Sequence, residues 1–340
     1  MDPVEALRRI AYLLENQRAE TYKVRAFRNA AEALAEHPPE EIARLVETRQ
    51  LAGLPGIGKT TAEVVIQAVA GKTPSYLESL EIKGEETVGH NEAAQALRTL
   101  LRGDCHSHSD WSDGGNPIRE MAEAARALGH DYLVLTDHSG SLKIAHGLDR
   151  DRLLEQLAVL KDLNAELAPF KILTGIEVDI LEDGALDQDE DLLARLDIVV
   201  ASVHSKLRME SAQMTKRMIR AIESPLTDIL GHCTGRMITG RGRPESSFDH
   251  RAVFEACARS GTAVEINSRP ERRDPPPKLL KIVVELGCAV SIDSDAHAPG
   301  QLEWLENGCE QAVEAGVDEN KIVNTWSEQK LLAWAGSHQA

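Results

Sequence analysis

Between residues 101 and 293 the chain alternates between short apolar runs and helical patterns. The apolar runs predict strands over Leu101–Cys105, Tyr132–Thr136, Ile172–Val178, Asp197–Val203, Asp228–Gly231, Ala263–Asn267 and Ala289–Asp293. Helical spacing of apolar residues between them predicts Ile118–Leu128, Arg152–Leu167, Met214–Ile222, Arg251–Arg259 and Pro277–Leu286. Parallel strands need crossover connections, and a helix is the usual one. Seven strands alternating with helices restrict this part of the chain to a parallel β/α barrel or a doubly wound sheet.

Metal-type residues recur where those strands end. Asp104-Cys105-His106-Ser107-His108 closes the first, and Asp113 follows in the next loop. On extended backbone, residues i and i+2 point to the same side, so His106 and His108 can meet one ion. The later strands bring Thr136-Asp137-His138, Glu177, Val203-His204, Gly231-His232 and Asp293-Ser294-Asp295-Ala296-His297. In a β/α barrel the C-terminal strand ends converge on one face. That face would gather six histidines and three carboxylates: His106, His108, Asp113, His138, Glu177, His204, His232, Asp295 and His297. Nine ligands exceed what one ion uses, and imidazole with carboxylate suits two or three divalent Zn²⁺, Mn²⁺ or Fe²⁺ ions. Such sites activate water and clamp the oxygens of a phosphoester, so the pattern implies a multinuclear metal phosphoesterase.

Glu177 and Asp113 are the expected bridging carboxylates. Asp137 is expected to serve catalysis, and with Asp293 to orient ligands from behind. Lys206, Arg236 and Arg269 follow ligand-bearing strand ends and are the expected phosphate holders. Water is the expected nucleophile, with no covalent enzyme intermediate, since Cys105 faces away from the histidines. His204 or His297 is either a ligand or a general acid. His37, His90, His130, His250 and His338 fall outside the pattern, and His146 either lines the pocket or lies on the surface.

Residues 1–80 read differently. Helical spacing covers 4–16, 22–36 and 40–47, and Leu54-Pro55-Gly56-Ile57-Gly58-Lys59-Thr60 runs into another helix through Val69. The glycines permit a tight turn whose backbone N–H groups, with the helix N-terminus, can hold a phosphate. Gly56, Gly58 and Lys59 are therefore the expected DNA contacts, made to the backbone and not to bases. Residues 81–100 are read as a linker with a helix over Glu92–Leu101. The net charge is −17, of which only −1 falls in residues 1–80, so the remaining −16 works against unspecific DNA affinity over the larger part. The N-terminus carries no signal-peptide core, no run could span a bilayer, and the five scattered cysteines lack a CxxC pair. A cytoplasmic protein with reduced thiols and no membrane partner is expected.

The nine-position ligand pattern, with Thr136-Asp137-His138-Ser139, Ser202-Val203-His204-Ser205, Gly231-His232-Cys233-Thr234-Gly235-Arg236 and Glu265-Ile266-Asn267, resembles the polymerase-and-histidinol-phosphatase (PHP) superfamily. The resemblance covers residues 102 to about 335 and is greatest to the PHP domain of bacterial family-X DNA polymerases. It implies a distorted seven-stranded β/α barrel with a trinuclear metal centre, preceded by a small all-α helix-hairpin-helix domain. The implied domains are 1–80, a linker over 81–100, and 101–340. The implied activity is manganese-dependent 3′–5′ exonuclease, or abasic-site and 3′-end processing in DNA repair. Tyr22-Lys23-Val24-Arg25-Ala26-Phe27-Arg28 strengthens the likeness to the polymerases' N-terminal domain. The palm has no counterpart between 81 and 100, so no polymerase activity is expected. Where family-X lyases place a Schiff-base lysine, this chain has Val64, with Lys59 and Lys72 offset, which speaks against lyase activity. The alternative is a small-molecule phosphomonoesterase of the histidinol-phosphatase type, which would have no use for the hairpin.

Overall fold

The computed structural model describes residues 1–87 and 91–339, in two compact units, Met1–His90 and Asn91–Ala340. The first unit is helical: α1 (Pro3–Asn16), α2 (Thr21–Ala35), α3 (Pro39–Glu47), α4 (Lys59–Val69) and α5 (Ser75–Thr87). Asp2 caps α1 by accepting from the Glu5 N–H at 2.9 Å, and a proline opens the first turn. Leu7, Ile10 and Leu14 of α1 share a face and pack with Val24, Phe27, Ala31 and Leu34 of α2 into one buried core. Val64 and Val65 of α4 and Leu77 of α5 complete it.

The second unit opens with α6 (Glu92–Leu100) and continues as a seven-stranded, nearly closed parallel barrel. Its elements run β1 (Gly103–Ser107), α7 (Ile118–Ala127), β2 (Tyr132–Leu135), α8 (Arg150–Leu167), β3 (Lys171–Asp179) and α9 (Glu190–Leu193). They continue as β4 (Ile198–Ser202), α10 (Ser211–Ile222), β5 (Ile229–Leu230), α11 (His250–Ser260), β6 (Ala263–Asn267), α12 (Pro277–Glu285) and β7 (Val290–Asp293), then α13 (Leu305–Ala315) and α14 (Glu328–Ser337). Neighbours in sequence are neighbours in the sheet throughout. Strands buried on both faces need no polar alternation, which is why they read as continuous apolar runs.

The stretch read as a linker is largely helical. Its α6 belongs to the barrel unit, where the Arg98 guanidinium lies 3.0 Å from the His130 ring. Residues 88–90, including His90, lie outside the described residues. The first strand starts two residues later than expected because Leu101 ends α6 and pairing begins at Gly103 opposite Tyr132. A side chain at Gly103 would meet the Tyr132 ring at 2.2 Å, so only glycine lets these two strands close.

β1 and β7 meet across a seam with little ladder, bridged at Ser107 and Ala296. The Asn324 side chain fills it. It donates to the Gly103 carbonyl at 3.3 Å and to Asp293 at 3.0 Å, and accepts from the Ile292 N–H at 2.6 Å. No helix among the described residues is long and apolar enough to cross a membrane, and all five cysteines are free and buried.

Candidate metal centre

Glu177 stands in the middle of the barrel mouth, completely buried on β3. Its Oε2 lies 2.8 Å from His138 Nδ1, 3.3 Å from His106 Nε2 and 3.6 Å from His108 Nε2. Its Oε1 lies 2.8 Å from His232 Nε2 and 3.2 Å from His204 Nε2. Five imidazoles from four strand ends thus converge on one carboxylate. His106 and His108 stand side by side, with ring centroids 5.1 Å apart, as their two-residue spacing on extended chain requires.

Asp113 and His297 form the outer edge, 3.3 Å apart, with Asp113 3.5 Å from His138 Nε2. The loop bearing Asp113 turns so tightly that a side chain at Gly114 would sit 2.5 Å from the Ser109 carbonyl. Asp295 is 3.5 Å from His108 Nε2 and 3.6 Å from His297 Nδ1. All nine expected ligands therefore come together. They form four overlapping groups: His108 with Asp113, His138 and His297; His106 with Glu177 and His232; His106 with His108 and Asp295; and His138 with Glu177 and His204.

The donor set fits divalent cations. Buried with no hydrogen-bond partner are His106 Nε2, both nitrogens of His108 and of His204, His138 Nδ1, His232 Nδ1 and Glu177 Oε2. Buried polar atoms left unpaired are costly, and so many aimed at one volume point to ions. The electrostatics of Glu177 and His232 agree, while His204 holds a proton that an ion would have to displace. Burial pushes the Glu177 carboxyl up, but His106, His204 and His138 outweigh it and hold it well below the ordinary carboxylate range. Burial pushes His204 down, yet Glu177 and Asp179 raise it to about 9. Burial and the Arg272 charge lower His232.

The residues around the ligands differ from expectation. Asp137 faces away from the histidines. It accepts from the Ser109 N–H at 2.8 Å, the Ser109 hydroxyl at 2.6 Å, the Ser112 hydroxyl at 2.5 Å and the Gln156 amide at 2.7 Å. Its work is to fold the loop that carries Asp113. Asp293 also touches no ligand ring, and holds the Cys105 N–H at 2.9 Å and the Asn324 amide. Burial pushes both Asp293 and its neighbour Asp104 upward.

Lys206 is turned outward, 63% exposed and 3.6 Å from Glu182. Arg236 spends its guanidinium on the carbonyls of Arg272, at 2.8 Å, and Arg273. Among the three expected phosphate holders, only Arg269 reaches the cluster, with Nη1 3.2 Å from His297 Nδ1. His146 lies on the surface, its carbonyl bonded by Arg152.

Three residues were given no role in the sequence reading, although Glu265 lay in one of its motifs. Glu265 lies 2.6 Å from His106 Nδ1 and accepts from the His232 N–H, so it fixes two ligands at once. Asp179 accepts from the His204 N–H at 3.0 Å. Both had a signal: a carboxylate inside a buried strand, and, for Asp179, two-residue spacing from Glu177. Arg272, with Nε 3.1 Å from Asp295, had none.

In the helical unit, Gly56 has φ +84 and sits against Asn29, while Gly58 precedes the first turn of α4. The Gly58 N–H donates to Thr61 Oγ1 at 2.9 Å, so it is not offered to a ligand. The donors left without an intrahelical partner are those of Lys59, Thr60 and the buried Thr61, in the first turn. Between α4 and α5 lies a cleft of about 280 Å³ lined by Thr60, Glu63, Val64, Gln67, Ser75, Tyr76 and Ser79. No lysine is among them.

Comparison with known proteins agrees with this arrangement. Residues 104–269 match the PHP domain, and residues 1–74 match a helix-hairpin-helix domain. A probable phosphatase of Thermoanaerobacter sp. (strain X514) is 31% identical over 234 residues, covering 65% of this chain and 89% of that protein. The chain belongs to the PHP family. The chain also resembles the DNA polymerase/3′-5′ exonuclease PolX of Bacillus subtilis (strain 168), 37% identical over 252 residues. That match covers 74% of this chain but 44% of PolX. A histidinol phosphate phosphatase of Lactococcus lactis, solved with zinc, L-histidinol and phosphate, superposes on 64% of this chain with a TM-score of 0.47 at 19% identity. PHP proteins are metal-dependent phosphoesterases, and the ligand groups at the barrel mouth are of that kind.

Proposed function

We propose that this protein hydrolyses phosphodiester bonds in DNA, as a 3′–5′ exonuclease or a 3′-end and abasic-site processing enzyme. The observation that carries the reading is the pairing, in one chain, of a complete PHP ligand set with a helix-hairpin-helix unit. The nine ligands would hold two or three Mn²⁺, Zn²⁺ or Fe²⁺ ions, which would polarise a phosphoryl oxygen and acidify a water near neutral pH. Glu265 and Asp179 hold His106, His232 and His204 in position. Arg269 reaches the same volume and offers a planar donor fork to phosphate oxygens. In the helical unit, the Lys59 and Thr60 N–H groups and the Lys59 charge hold the DNA backbone.

The phosphatase relatives favour a second reading, a phosphomonoesterase for a small substrate. One experiment separates the two. Chelated protein is reloaded with Mn²⁺, Zn²⁺ or Fe²⁺ and given labelled DNA or p-nitrophenyl phosphate. The expected result is metal-dependent DNA cleavage with the higher kcat/KM. Turnover of the monoester alone would replace the first reading with the second.

A further inference from the structure

The charge of the barrel is unevenly distributed around its mouth. The loops after β4, β5 and β6, residues 203–210, 231–249 and 268–276, hold eight Lys or Arg against five Asp or Glu. The loop after β3, residues 180–189, holds four acidic residues and no basic one. Loops 108–117 and 294–304 hold two acidic residues each and no basic one. One sector of the rim is thus basic, and what flanks it is acidic.

The basic sector is a single built surface. In the loop after β5, Met237 and Arg243 pair as a small hairpin at 2.9 Å. Its Ile238 N–H donates to the Glu271 carbonyl at 2.7 Å, and Arg236 bonds the carbonyls of Arg272 and Arg273, which ties it to the loop after β6. Leu207 from the loop after β4 packs where a side chain on Gly235 would lie, 2.8 Å away. On this surface Arg208 and Arg241 are exposed, Arg273 is half-buried, and none makes an ion pair among the described residues. Ile238, 51% exposed, presents an apolar face in the same hairpin as Arg241.

The inner end of the sector reaches the ligands. Arg269 touches His297, and Arg272 pairs with Asp295 through Nε at 3.1 Å while its Nη1 is buried and without a hydrogen-bond acceptor. Arginine donors cannot be neutralised in proteins, so the one left unpaired calls for a further acceptor, which a phosphate oxygen can supply.

We propose that this sector is a track for single-stranded DNA, leading the scissile phosphate from Arg208, Arg241 and Arg273 inward to Arg269 and Arg272. The inference rests on the reading that the substrate is DNA. Most of the ligand side chains are buried, and a single strand presents less bulk to them than a duplex. Phosphates meet the free guanidinium groups, an unstacked base lies against Ile238, and the acidic flanks repel a strand that strays.

The test is equilibrium binding of a fluorescent phosphorothioate single-stranded oligonucleotide to the full, metal-loaded chain over a salt series. The variant is R208E/R241E/R273E. The control is R195E/R251E/R259E, which makes the same charge change on exposed arginines outside the three loops. Each phosphate contact on a single strand contributes about 0.7 to the slope of log K against log salt, so the track variant should lose about 2 units of slope. Its Kd should rise at least about tenfold at low salt while the control keeps the wild-type value. Equal slopes in wild type and track variant, or equal loss in both triple variants, would overturn the track. Failure of the metal-loaded wild type to cleave ordinary DNA would instead overturn the phosphodiesterase reading, and the binding comparison still decides the track.

Discussion

Glu177 shares its two oxygens among five imidazoles, a geometry that suits a carboxylate bridging cations. Glu177→Gln keeps the shape and removes the charge. We expect metal analysis of that variant to show at least one ion fewer per chain than wild type; an unchanged count would remove Glu177 from the bridging position. Glu265→Gln should weaken metal binding about 10–100-fold in a chelator competition, the usual effect of losing a residue that orients a ligand. A different residue governs pH. Burial raises the Asp274 carboxyl from 3.8 to about 6, although hydrogen bonds from Thr234 oppose the rise. A carboxyl raised on folding favours the folded state fully below pH 3.8, and that contribution is lost as pH climbs through 6. The loss is at most about 3 kcal/mol, at 1.36 kcal/mol per pKa unit. Asp274→Asn stays neutral throughout, so its stability relative to wild type should increase between pH 4 and 7 in denaturant titrations. A difference that does not move with pH would show that Asp274 is unperturbed.

At the level of elements, the hairpin glycines separate into two kinds. Gly56 needs its positive φ, and a Cβ there would press on the Asn29 carbonyl at 3.3 Å. Gly58 has an ordinary φ of −96 and open space around it, with only Thr61 Oγ1 at 4.0 Å. Gly56→Val should therefore cost about 1–3 kcal/mol of stability through backbone strain. Gly58→Val should leave thermal unfolding nearly unchanged and weaken DNA binding by crowding the approach to Lys59 and Thr60. Undiminished affinity would take the hairpin out of the interface. The same contrast explains what the sequence made legible. Strands such as β2 and β4 could be read because they bury both faces and so carry apolar runs, whereas β1 is polar; the ligands could be read because strand ends converge. Helix α5 was missed because Ser75–Thr87 is mixed in Glu, Lys and Gly with a weak apolar stripe. Helices α13 and α14 were missed because they follow the last strand, where alternation no longer signals a crossover. Asp137 and Asp293 were expected to orient ligands because they lie close to them in sequence, but strand geometry turns adjacent residues such as Asp137 and His138 to opposite sides, and the chain leaves β7 after Asp293, with Asp295 at φ +52.

At the level of the molecule, the prediction concerns stereochemistry. No serine or cysteine at the site is placed as a nucleophile, and all five thiols are buried, with burial pushing Cys105 well above its usual value. Hydrolysis of a chiral phosphorothioate DNA in ¹⁸O-water should invert configuration at phosphorus; retention would mean a covalent enzyme intermediate. The seam between β1 and β7 carries a consequence of its own. His106 and His108 belong to the first strand, but the amide that locks that strand to the last one comes from Asn324, more than 200 residues downstream. During synthesis from the N-terminus, β1 has its β2 partner early, but its closure against β7 must await Asn324. A chain truncated before Asn324 should therefore lose ligand geometry at its opposite end, because the seam beside His106 and His108 has lost its lock.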